Sequence, residues 1–540
     1  MIRRLLQRLR KKRHEAELAS DFLDLSQREQ LVSEMQLYTS LEKNLDLIKT
    51  VLGHSQDLEE HRFLIGPGQV EAAIIFIDGM VDGSDLVALL RNVQVDILLT
   101  GIKPMEQGHP LETVKRRLIG VIPLKTVESM EAIIDAITQG EAALLFEGTS
   151  KALLSDTRSV SMRSPTEPEA ESSIRGPRDG FVENLRTNTA LLRRRIHSPN
   201  LWIEGMDVGR LTKTKVCLAY IKGLADEKII GEVRSRLKGI QLDGVLESGY
   251  LEEYLQDVPW TPFPLVLRTE RPDRVAGALL EGRVAVLTDG TPFVLIVPTQ
   301  FSMMLQGVDD YYENYVIGSF LRLLRFLSFL ISMFLPGIYV AVINYHPELL
   351  PTTLFLRIAA AREGVPFPVV VEAFLMEALF EVLREAGVRL PRAIGSAISI
   401  VGALVLGDAA IRAGLVSPPM VIIVSLTAIA SFTAPTFSLA IAARLIRFLF
   451  IILGAVFGLF GVQFGLLLLL LHLCSLRSFG LPYMYPFGPL VLSDMRDNIL
   501  RLFWWLQNKR PKLIGYREWG RQQPGPRPGR RRGPGGQKEE

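Results

Sequence analysis

The sequence predicts two structural classes in one chain: an α/β soluble N-terminal region, made of two tandem duplicated small α/β subdomains, and then an all-α polytopic membrane domain. Two observations support this prediction. Residues 316–474 are dominated by Leu, Ile, Val, Phe, Ala and Gly, whereas residues 1–315 have an ordinary globular composition. The first part of the chain also repeats itself. At 540 residues, the chain is too long for a single compact domain.

The repeat in the first part consists of segments that match in the same order at a nearly constant offset. The matching pairs are Ile74–Asp82 with Leu218–Asp226, Gly140–Thr149 with Gly282–Thr291 and, more loosely, Val93–Leu99 with Ile240–Leu246. The two clear pairs are separated by 144 and 142 residues. We therefore interpret this region as a tandem duplication, with subdomain 1 at residues 26–158 and subdomain 2 at residues 181–315.

Each copy is predicted to contain a strand, a Gly turn, a helix, a strand, a second helix, and two strands joined by a hairpin, arranged as a mixed sheet. Helices near 128–139 and 272–281 should end at the glycines that follow them. Glu147-Gly148 and its counterpart Asp289-Gly290 are typical of hairpin turns. Ahead of the first copy, the apolar spacing within residues 26–52 predicts one amphipathic helix that packs on the core.

Enzyme chemistry is not predicted. The two cysteines, Cys217 and Cys474, lie in a strand-like run and an apolar helix, which favours neither a disulfide framework nor a zinc site. The sequence has no paired-histidine metal motif, P-loop, GxGxxG after a strand or GxSxG, so we expect no catalytic, metal or cofactor site. A net charge of only +3 gives no basis for nucleic-acid binding.

The two aspartates beside the first Gly turn could be imagined as a metal pair. Asp78 is replaced by Lys222 in the second copy, whereas Asp82 is retained as Asp226. A turn-and-cap role fits both copies, and it is the interpretation that we favour.

The apolar region predicts membrane spans, which need about 20 mostly apolar residues. The predicted spans cover residues 326–345, 393–413, 416–436 and 445–475 of a membrane domain at 316–478. Four spans are expected, with five as the alternative. The last segment is longer than one perpendicular span requires, so it should be tilted, bent near Gly454–Gly465, or divided into two short segments.

The segment 366–391 combines apolar residues with glutamates and predicts an amphipathic helix. Carboxylates at membrane depth are costly and face protein, water or the interface. The candidate ion-pathway residues are Glu372, Glu377, Glu381 and Glu385. In an oligomer they could present carboxylate rings to a cation pore; alternatively, the helix is interfacial and its glutamates pair with Arg384, Arg389 and Arg392. Asp408 and Arg412, four residues apart, form a candidate intramembrane ion pair.

Basic segments flank these domains. A basic arm at residues 1–25 is not a signal peptide, because no apolar core follows its charges, so the N-terminal domain is expected in the cytoplasm. A flexible linker is predicted at 159–180. The arginines in and after this linker are candidates for contact with membrane lipid or an acidic partner, with a solvated helix face as the alternative: Arg175, Arg178, Arg186, Arg193, Arg194 and Arg195.

The C-terminal part is predicted to leave the membrane on the cytoplasmic side. Residues 479–515 form a boundary segment in which 494–505 predict an amphipathic helix, and residues 516–540 form a disordered basic Pro/Gly-rich tail.

Several motifs together resemble the A subunits of the GerA-type spore germinant receptors. They are Pro366–Leu390, Ile394–Gly407, Gly414–Pro418, Pro482–Pro489 and Arg175–Phe181. The resemblance covers about residues 25–515; the N-terminal arm and the C-terminal tail lie outside the familiar pattern.

The resemblance implies a multi-pass subunit of the spore inner membrane that acts with a transporter-like B subunit and a lipoprotein C subunit. It also implies a homo-oligomeric ring that conducts monovalent cations when a nutrient binds, with the nutrient pocket mainly in the B subunit. A non-conducting scaffold that relays the signal, and a related spore channel subunit outside the classical receptors, remain as alternatives.

Overall fold

The computed structural model describes residues 24–65, 70–99, 124–158, 167–168, 171, 173, 175–389, 407–507, 509–512 and 520. The chain divides into two compact units. The α/β unit comprises residues 1–256, 266–298 and 503–540, and the helical unit comprises residues 257–265 and 299–502. The predicted fold class is confirmed, because two sheets with flanking helices precede a helical region that contains two apolar helices.

The two copies of the α/β unit contain the same five strands in the same order and differ in some of their described helices. The first consists of α1 (Leu25–Ser33), α2 (Leu41–Val51), β1 (Leu58–Ile65), β2 (Val70–Ile77), α3 (Gly83–Leu99), β3 (Leu124–Val127), α4 (Met130–Thr138), β4 (Ala142–Phe146) and β5 (Ala152–Ser155). The second consists of α5 (Leu185–Arg195), β6 (Leu201–Val208), β7 (Thr214–Ile221), α6 (Glu227–Lys238), α7 (Ser248–Leu255), β8 (Leu267–Thr269), α8 (Pro272–Leu280), β9 (Val284–Thr288) and β10 (Val294–Val297).

The strand order is β1-β2-β4-β5-β3 in one sheet and β6-β7-β9-β10-β8 in the other, so the predicted duplication is confirmed. The prediction of mixed sheets was wrong, because every neighbouring pair is antiparallel. Strands β3 and β4, which helix α4 connects, do run in the same direction. The hairpin strand β5 lies between them, however, and pairs antiparallel with both.

Alternation along β2 builds a core on each face of the first sheet, as expected for a period of two. Ala73, Ile75 and Ile77 pack with α1, α2 and α4. The residues between them, including Ile74 and Phe76, pack with α3. The first copy therefore has three layers.

An asparagine closes the turn before α2 in the first copy and before α5 in the second. The side-chain amide of Asn44 donates to the carbonyl of Tyr38, and its oxygen accepts from the Tyr38 N–H, both at 2.8 Å. Asn188 makes the same two bonds to Val182, at 2.6 and 2.9 Å. The duplication is therefore preserved at the level of individual hydrogen bonds.

The predicted single helix over 26–52 was wrong, because α1 and α2 are separate. An Asp24 capping box starts α1. The chain then leaves the helix after Ser33, and Gln36 forms a β-bridge with Ser129. An amphipathic pattern alone does not reveal such a break, because both helices bury their apolar faces in the same core.

Two further differences concern the repeat. The edge strands β1 and β6 were not predicted, since charged residues interrupt their apolar pattern. The loose match of Val93–Leu99 with Ile240–Leu246 is not a structural equivalence: the first lies in α3, and the second follows α6 without regular structure. The predicted helix ends and hairpin turns do match, because Gly140, Gly148, Gly282 and Gly290 all have positive φ.

The described part of the predicted linker is held by contacts. Arg271 donates to the backbone carbonyls of Glu171 and Pro177, both at 3.2 Å. Asp179 pairs with Arg195. Residues 175–180 therefore belong to the second copy, and most of the remaining linker lies outside the described residues.

The helical unit contains the short helices α9 (Phe301–Leu305) and α10 (Asp309–Tyr312), followed by longer ones. These are α11 (Tyr315–Tyr345), α12 (Thr352–Arg362), α13 (Val369–Arg389), α14 (Gly407–Arg412), α15 (Pro418–Ser431) and α16 (Phe437–Ser475). Buried residues of α11, α13, α15 and α16, including Val340, Ala373, Val424 and Ile451, form one core.

Helix α16 doubles back on itself at Gly458, whose φ of 62° and ψ of −148° interrupt the helix. A Cβ atom added to Gly465 would lie 2.9 Å from the ring of Phe450. In a straight helix, the 15 residues between these positions would span about 22 Å. The two halves are therefore antiparallel, in agreement with the predicted alternative of two segments.

Only α11 and α16 are long and apolar enough to cross a membrane among the described helices. Helix α15, with 14 residues, covers about 21 Å and is shorter than a bilayer core of about 30 Å. Most of the predicted span at 393–413 lies outside the described residues. Because α16 contains two antiparallel halves, its 39 residues do not form one straight segment.

The predicted amphipathic helix at 494–505 was wrong. This stretch contains two 3₁₀ turns, Met495–Asp497 and Trp504–Leu506. Within the helical unit, Arg322 at the start of α11 donates to the carbonyl oxygens of Asp497 and Asn498. These backbone groups are consequently committed to tertiary contacts rather than to a helix.

Candidate functional site: paired charges inside the helical unit

Helix α13 carries two of the predicted glutamates into the core of the helical unit. Its apolar residues Val369 and Ala373 pack on α15 and α11, and this packing turns neighbouring positions of the same helix inward. Glu372 and Glu377 are completely buried. Buried carboxylates are stable only when they are paired or hydrogen-bonded, so their partners determine what the site can do.

Glu377 pairs with Arg447 from the first half of α16. The Arg447 Nη1 donates to Glu377 Oε2 at 2.5 Å, and its Nε donates to the carbonyl of Ser332 in α11 at 2.7 Å. Both side chains are at most 1% exposed. This ion pair connects three helices, and separating it would leave two uncompensated charges in an apolar core.

Glu381 lies one turn further along α13 and meets two arginines. Arg444 donates to its carboxylate at 2.7 Å, and Arg384 lies at 3.9 Å. Arg384 also donates to Ser431 Oγ at 2.7 Å and lies over the ring of Phe432, 4.6 Å from the ring centre. Together with the Glu377 pair, two carboxylates and three guanidinium groups share one cluster.

Glu372 holds the other end of α13. Its carboxylate accepts hydrogen bonds from both the N–H and the hydroxyl of Ser417, each at 2.5 Å. Ser417 precedes the first residue of α15, where a negative charge is favoured by the helix dipole. Arg362 lies 3.7 Å away.

The remaining predicted charges are exposed. Glu385 pairs with Arg389 at 2.7 Å, with side chains 65% and 79% exposed. Asp408 and Arg412 form their predicted pair at 2.8 Å, with side chains 55% and 79% exposed. Exposed pairs four residues apart stabilise a helix only slightly.

The predicted arginine cluster is largely occupied within the α/β unit. Arg193 is 1% exposed and binds both carboxylate oxygens of Asp57, at 2.8 and 3.1 Å. Arg186 pairs with Asp78, and Arg195 with Asp179. Burial leaves Arg193 no surface for a lipid headgroup. Lipid or partner contact by Arg175, Arg178 and Arg194 stays a prediction.

The aspartates at the Gly turns have the cap role predicted for them. Asp82 accepts from the N–H and hydroxyl of Ser84, and hydrogen bonds from Ser84 lower the pKa of its carboxyl. Asp226 accepts from the N–H of Lys228 at the start of α6. Among the described residues, no group of three His, Cys, Asp or Glu could hold a metal ion.

A cavity of about 240 Å³ lies between the two copies of the α/β unit. Asp57 and Asp78 line it from the first copy, and Lys215, Cys217 and Asp289 line it from the second. Burial, assisted by the charge of Asp57, raises the pKa of the Cys217 thiol to about 12. This thiol is therefore protonated at neutral pH and is a poor nucleophile.

Sequence reasoning missed the arginines that bind the glutamates across helices. The predicted partners included Arg384 and Arg389, whose pairs do form, and Arg392, which lies outside the described residues. Arg444 and Arg447 were not predicted. The sequence did contain a signal for this pairing. Both arginines lie at the start of an apolar run of about 30 residues, and charges in such a run need partners.

The architecture and the buried charges define a protein with a duplicated α/β region and a helical, membrane-type region. The family model described as Bacillus/Clostridium GerA spore germination protein matches residues 46–513. The chain therefore belongs to the GerA family of spore germination proteins, and the resemblance to the A subunits predicted from its motifs is confirmed.

Similar proteins come from Bacillus subtilis (strain 168). Spore germination protein KA is 46% identical over 91% of this chain and 89% of its own length. The uncharacterized membrane protein YfkQ is 44% identical over 87% of this chain and 91% of its own length. Spore germination protein A1 is 39% identical, over 85% and 93% respectively.

One similar solved structure is the crystal structure of the N-terminal domain of the A subunit of the Bacillus megaterium spore germinant receptor GerK3. It is 36% identical, has a TM-score of 0.40, and covers 49% of this chain and 98% of that chain.

Proposed function

We propose that this chain is the A subunit of a nutrient-responsive germinant receptor that forms an oligomeric, ligand-gated cation channel in the spore inner membrane. In this proposal the chain acts with a transporter-like B subunit and a lipoprotein C subunit. The N-terminal domain and the C-terminal tail lie on the cytoplasmic side, facing the spore core. Membership of the GerA family supports the role in germination.

The observation that carries the channel proposal is the charged cluster of Glu377, Glu381, Arg384, Arg444 and Arg447. Ionisable residues among apolar helices are expensive, and proteins retain them mainly along ion pathways or at switches. The cluster connects α13 to α16, so a small displacement of one helix would change which carboxylates are neutralised. Carboxylates released from arginine would attract cations, whereas the paired form would not.

Helix α13 also presents an apolar face that this chain leaves uncovered. Val371, Leu375, Leu379 and Val382 are 46%, 39%, 41% and 67% exposed. The spacing of these residues places them along one side of the helix. In a ring, this side would contact a neighbouring copy or lipid, while Glu377 and Glu381 lie on the other side.

A second function, a non-conducting scaffold, is favoured by a different observation. Every glutamate of α13 already contacts an arginine within the chain, and the cluster has more guanidinium groups than carboxylates. A structural cluster of this kind would dock a partner transporter and relay its signal without conducting ions. A related spore channel subunit outside the classical receptors is a further variant of the main proposal.

Potassium release from spores tests the channel proposal. We expect Glu377→Gln and Glu381→Gln to slow nutrient-triggered potassium release by about tenfold, equivalent to about 1.4 kcal/mol. Each change removes a negative charge and leaves a nearby arginine uncompensated, and both effects disfavour cations. Release is measured with a potassium electrode in spores whose protein level has been confirmed by immunoblot.

Glu363→Gln is the matched control, because Glu363 is an exposed glutamate outside the cluster. The double change Glu377→Gln with Arg447→Gln should recover part of the rate, since it removes the unpaired arginine as well. Normal release in both single variants, at normal protein level, would exclude these glutamates from the ion path and leave the scaffold.

A further inference from the structure

The end of α16 is surrounded by exposed apolar side chains that lie outside any helix. The second half of α16 runs from Leu459 to Ser475, and these 17 residues cover about 25 Å, close to the thickness of a bilayer core. Its exposed residues are Leu466, Leu467, Leu468, Leu470 and Leu471. His472 and Arg477 follow them, so the chain changes from purely apolar to polar within two turns.

The loop Asp257–Leu265 is fastened to this end of α16. Thr261 Oγ1 lies 3.0 Å from His472 Nε2, and the buried ring of Phe263 packs beside the same histidine at 6.3 Å. Ser478 Oγ donates to the carbonyl of Leu265 at 2.8 Å. These contacts fix the position of the loop along the axis of α16, next to the last leucines of the helix.

Trp260 lies at the tip of this loop and is 93% exposed. Pro259 and Pro262 flank it, and their fixed φ angles restrict the conformations of the loop. A large aromatic side chain that is exposed on a loop of restricted conformation is typical of a surface that has a partner.

A second exposed segment reaches the same place. Gly488 lies beside Cys474 in the last turn of α16, since a Cβ atom added to Gly488 would be 3.4 Å from the cysteine Sγ. Leu490 and Leu492, just beyond it, are 64% and 71% exposed. Arg477, also exposed, adds a positive charge just beyond the end of α16.

We propose that Trp260, Leu490, Leu492 and Arg477 form a boundary patch that binds the headgroup layer of the bilayer. Lipid is the partner that fits, because the patch continues the lipid-type surface of α16 at the level where that surface ends. Indole rings favour the headgroup layer, and a guanidinium group there binds lipid phosphate. This inference rests on the placement of α16 in a membrane, which is part of the proposed function.

The test is the depth of Trp260 in nanodiscs of phosphatidylcholine and phosphatidylglycerol that contain brominated phosphatidylcholine. The full-length protein carries Phe in place of Trp202, Trp504, Trp505 and Trp519, so that only Trp260 fluoresces. We expect bromines near the carbonyl end of the acyl chain to quench at least about twofold more than bromines near the methyl end.

The reference is the same background with Trp260→Phe and Leu468→Trp, which places an indole at an exposed position of α16. It should be quenched more strongly by the deep bromines. Quenching of the reference with no bromine quenching of Trp260 would overturn the boundary patch while leaving the membrane placement intact. If bromines quench neither protein, the membrane placement and this inference both fail.

Two further results decide between partners. Quenching of Trp260 by aqueous acrylamide but not by bromines would mean that the loop faces water. Protection from both quenchers would mean that protein covers the loop. Either result overturns the proposal. Because four tryptophan changes can disturb folding, the natural protein is also compared with the single variant Trp260→Phe. That change should remove most of the excess quenching by shallow bromines over deep ones. An unaltered ratio of shallow to deep quenching would contradict the proposal.

Discussion

At the scale of single residues, Arg193 shows how a predicted surface charge becomes part of a core. Its guanidinium binds Asp57 through two atoms and the carbonyl of Leu201 through a third, at 2.7 Å. Asp57 precedes β1 in the first copy, whereas Arg193 lies in the last turn of α5 in the second. One buried ion pair therefore joins the two copies of the α/β unit.

Removing this arginine should be costly. We expect Arg193→Met to lower the free energy of unfolding of the α/β unit by about 3–5 kcal/mol, because Asp57 would remain buried without its partner. Guanidinium chloride unfolding of the detergent-solubilised protein, followed by circular dichroism, measures the change.

Arg210→Met is the control for that measurement. Arg210 and Asp243 form an ion pair whose side chains are 76% and 69% exposed, so the change should stay within about 0.5 kcal/mol. The double change Arg193→Met with Asp57→Asn should recover part of the loss. Equal effects of the two single changes would contradict the assignment of Arg193 to the core.

At the scale of elements, α16 shows how a single glycine changes the path of a continuous apolar run. Gly458 adopts a positive φ, and a Cβ atom added to it would lie 3.1 Å from Tyr345 at the end of α11. The hydroxyl of Tyr345 donates to the carbonyls of Ala455 and Val456, just before the turn. Backbone carbonyls exposed by the interruption thus find a donor, as an apolar environment requires.

A distance measurement tests the reversal. Spin labels on cysteines at Leu445 and Leu470, both exposed, should lie about 10–20 Å apart, since packed helix axes are 8–10 Å apart. A straight helix would separate the two positions by about 38 Å. Double electron–electron resonance on the protein in nanodiscs distinguishes these values.

The control pair is Leu445 with Val456, which lie in the same half of α16 and should remain about 16 Å apart in either arrangement. A long distance for the first pair, with the expected distance for the control, would mean that α16 crosses once as a continuous helix.

At the scale of the whole molecule, the two units differ in the surface they present. Strands of the α/β unit bury their apolar residues within the two sheets and the helices that pack on them. In the helical unit, by contrast, many large apolar residues of α11, α15 and α16 remain exposed, among them Phe320, Ile422, Phe460 and Leu467. A surface of this kind needs acyl chains or other protein chains around it.

The intact chain should therefore require detergent or lipid. We expect it to aggregate in plain buffer and, in mild detergent, to migrate as a closed oligomer, because a central pore requires a closed ring. Size-exclusion chromatography with multi-angle light scattering measures both properties.

The outcome separates the proposed functions. A monomer in detergent favours the scaffold over the channel, whereas a monodisperse protein in detergent-free buffer would contradict the membrane assignment and, with it, both proposals.

Features that depend on local spacing could be predicted from the sequence. The repeat, the glycine turns at Gly140 and Gly282, the apolar run after Val316 and the glutamates of α13 are all visible there, because period, composition and turn chemistry act over a few residues. The family resemblance rested on the same kind of contiguous motif.

Contacts between distant residues became visible only in the folded chain. The position of β5 between β3 and β4, the break between α1 and α2, and the partners of Glu377 and Arg193 depend on contacts between residues far apart in the chain. The reversal at Gly458 belongs to the same group, since the apolar pattern is identical on both sides of the turn. Local sequence patterns are compatible with several arrangements of these elements. Side-chain packing selects one of them, and the packed surfaces exist only in the folded chain.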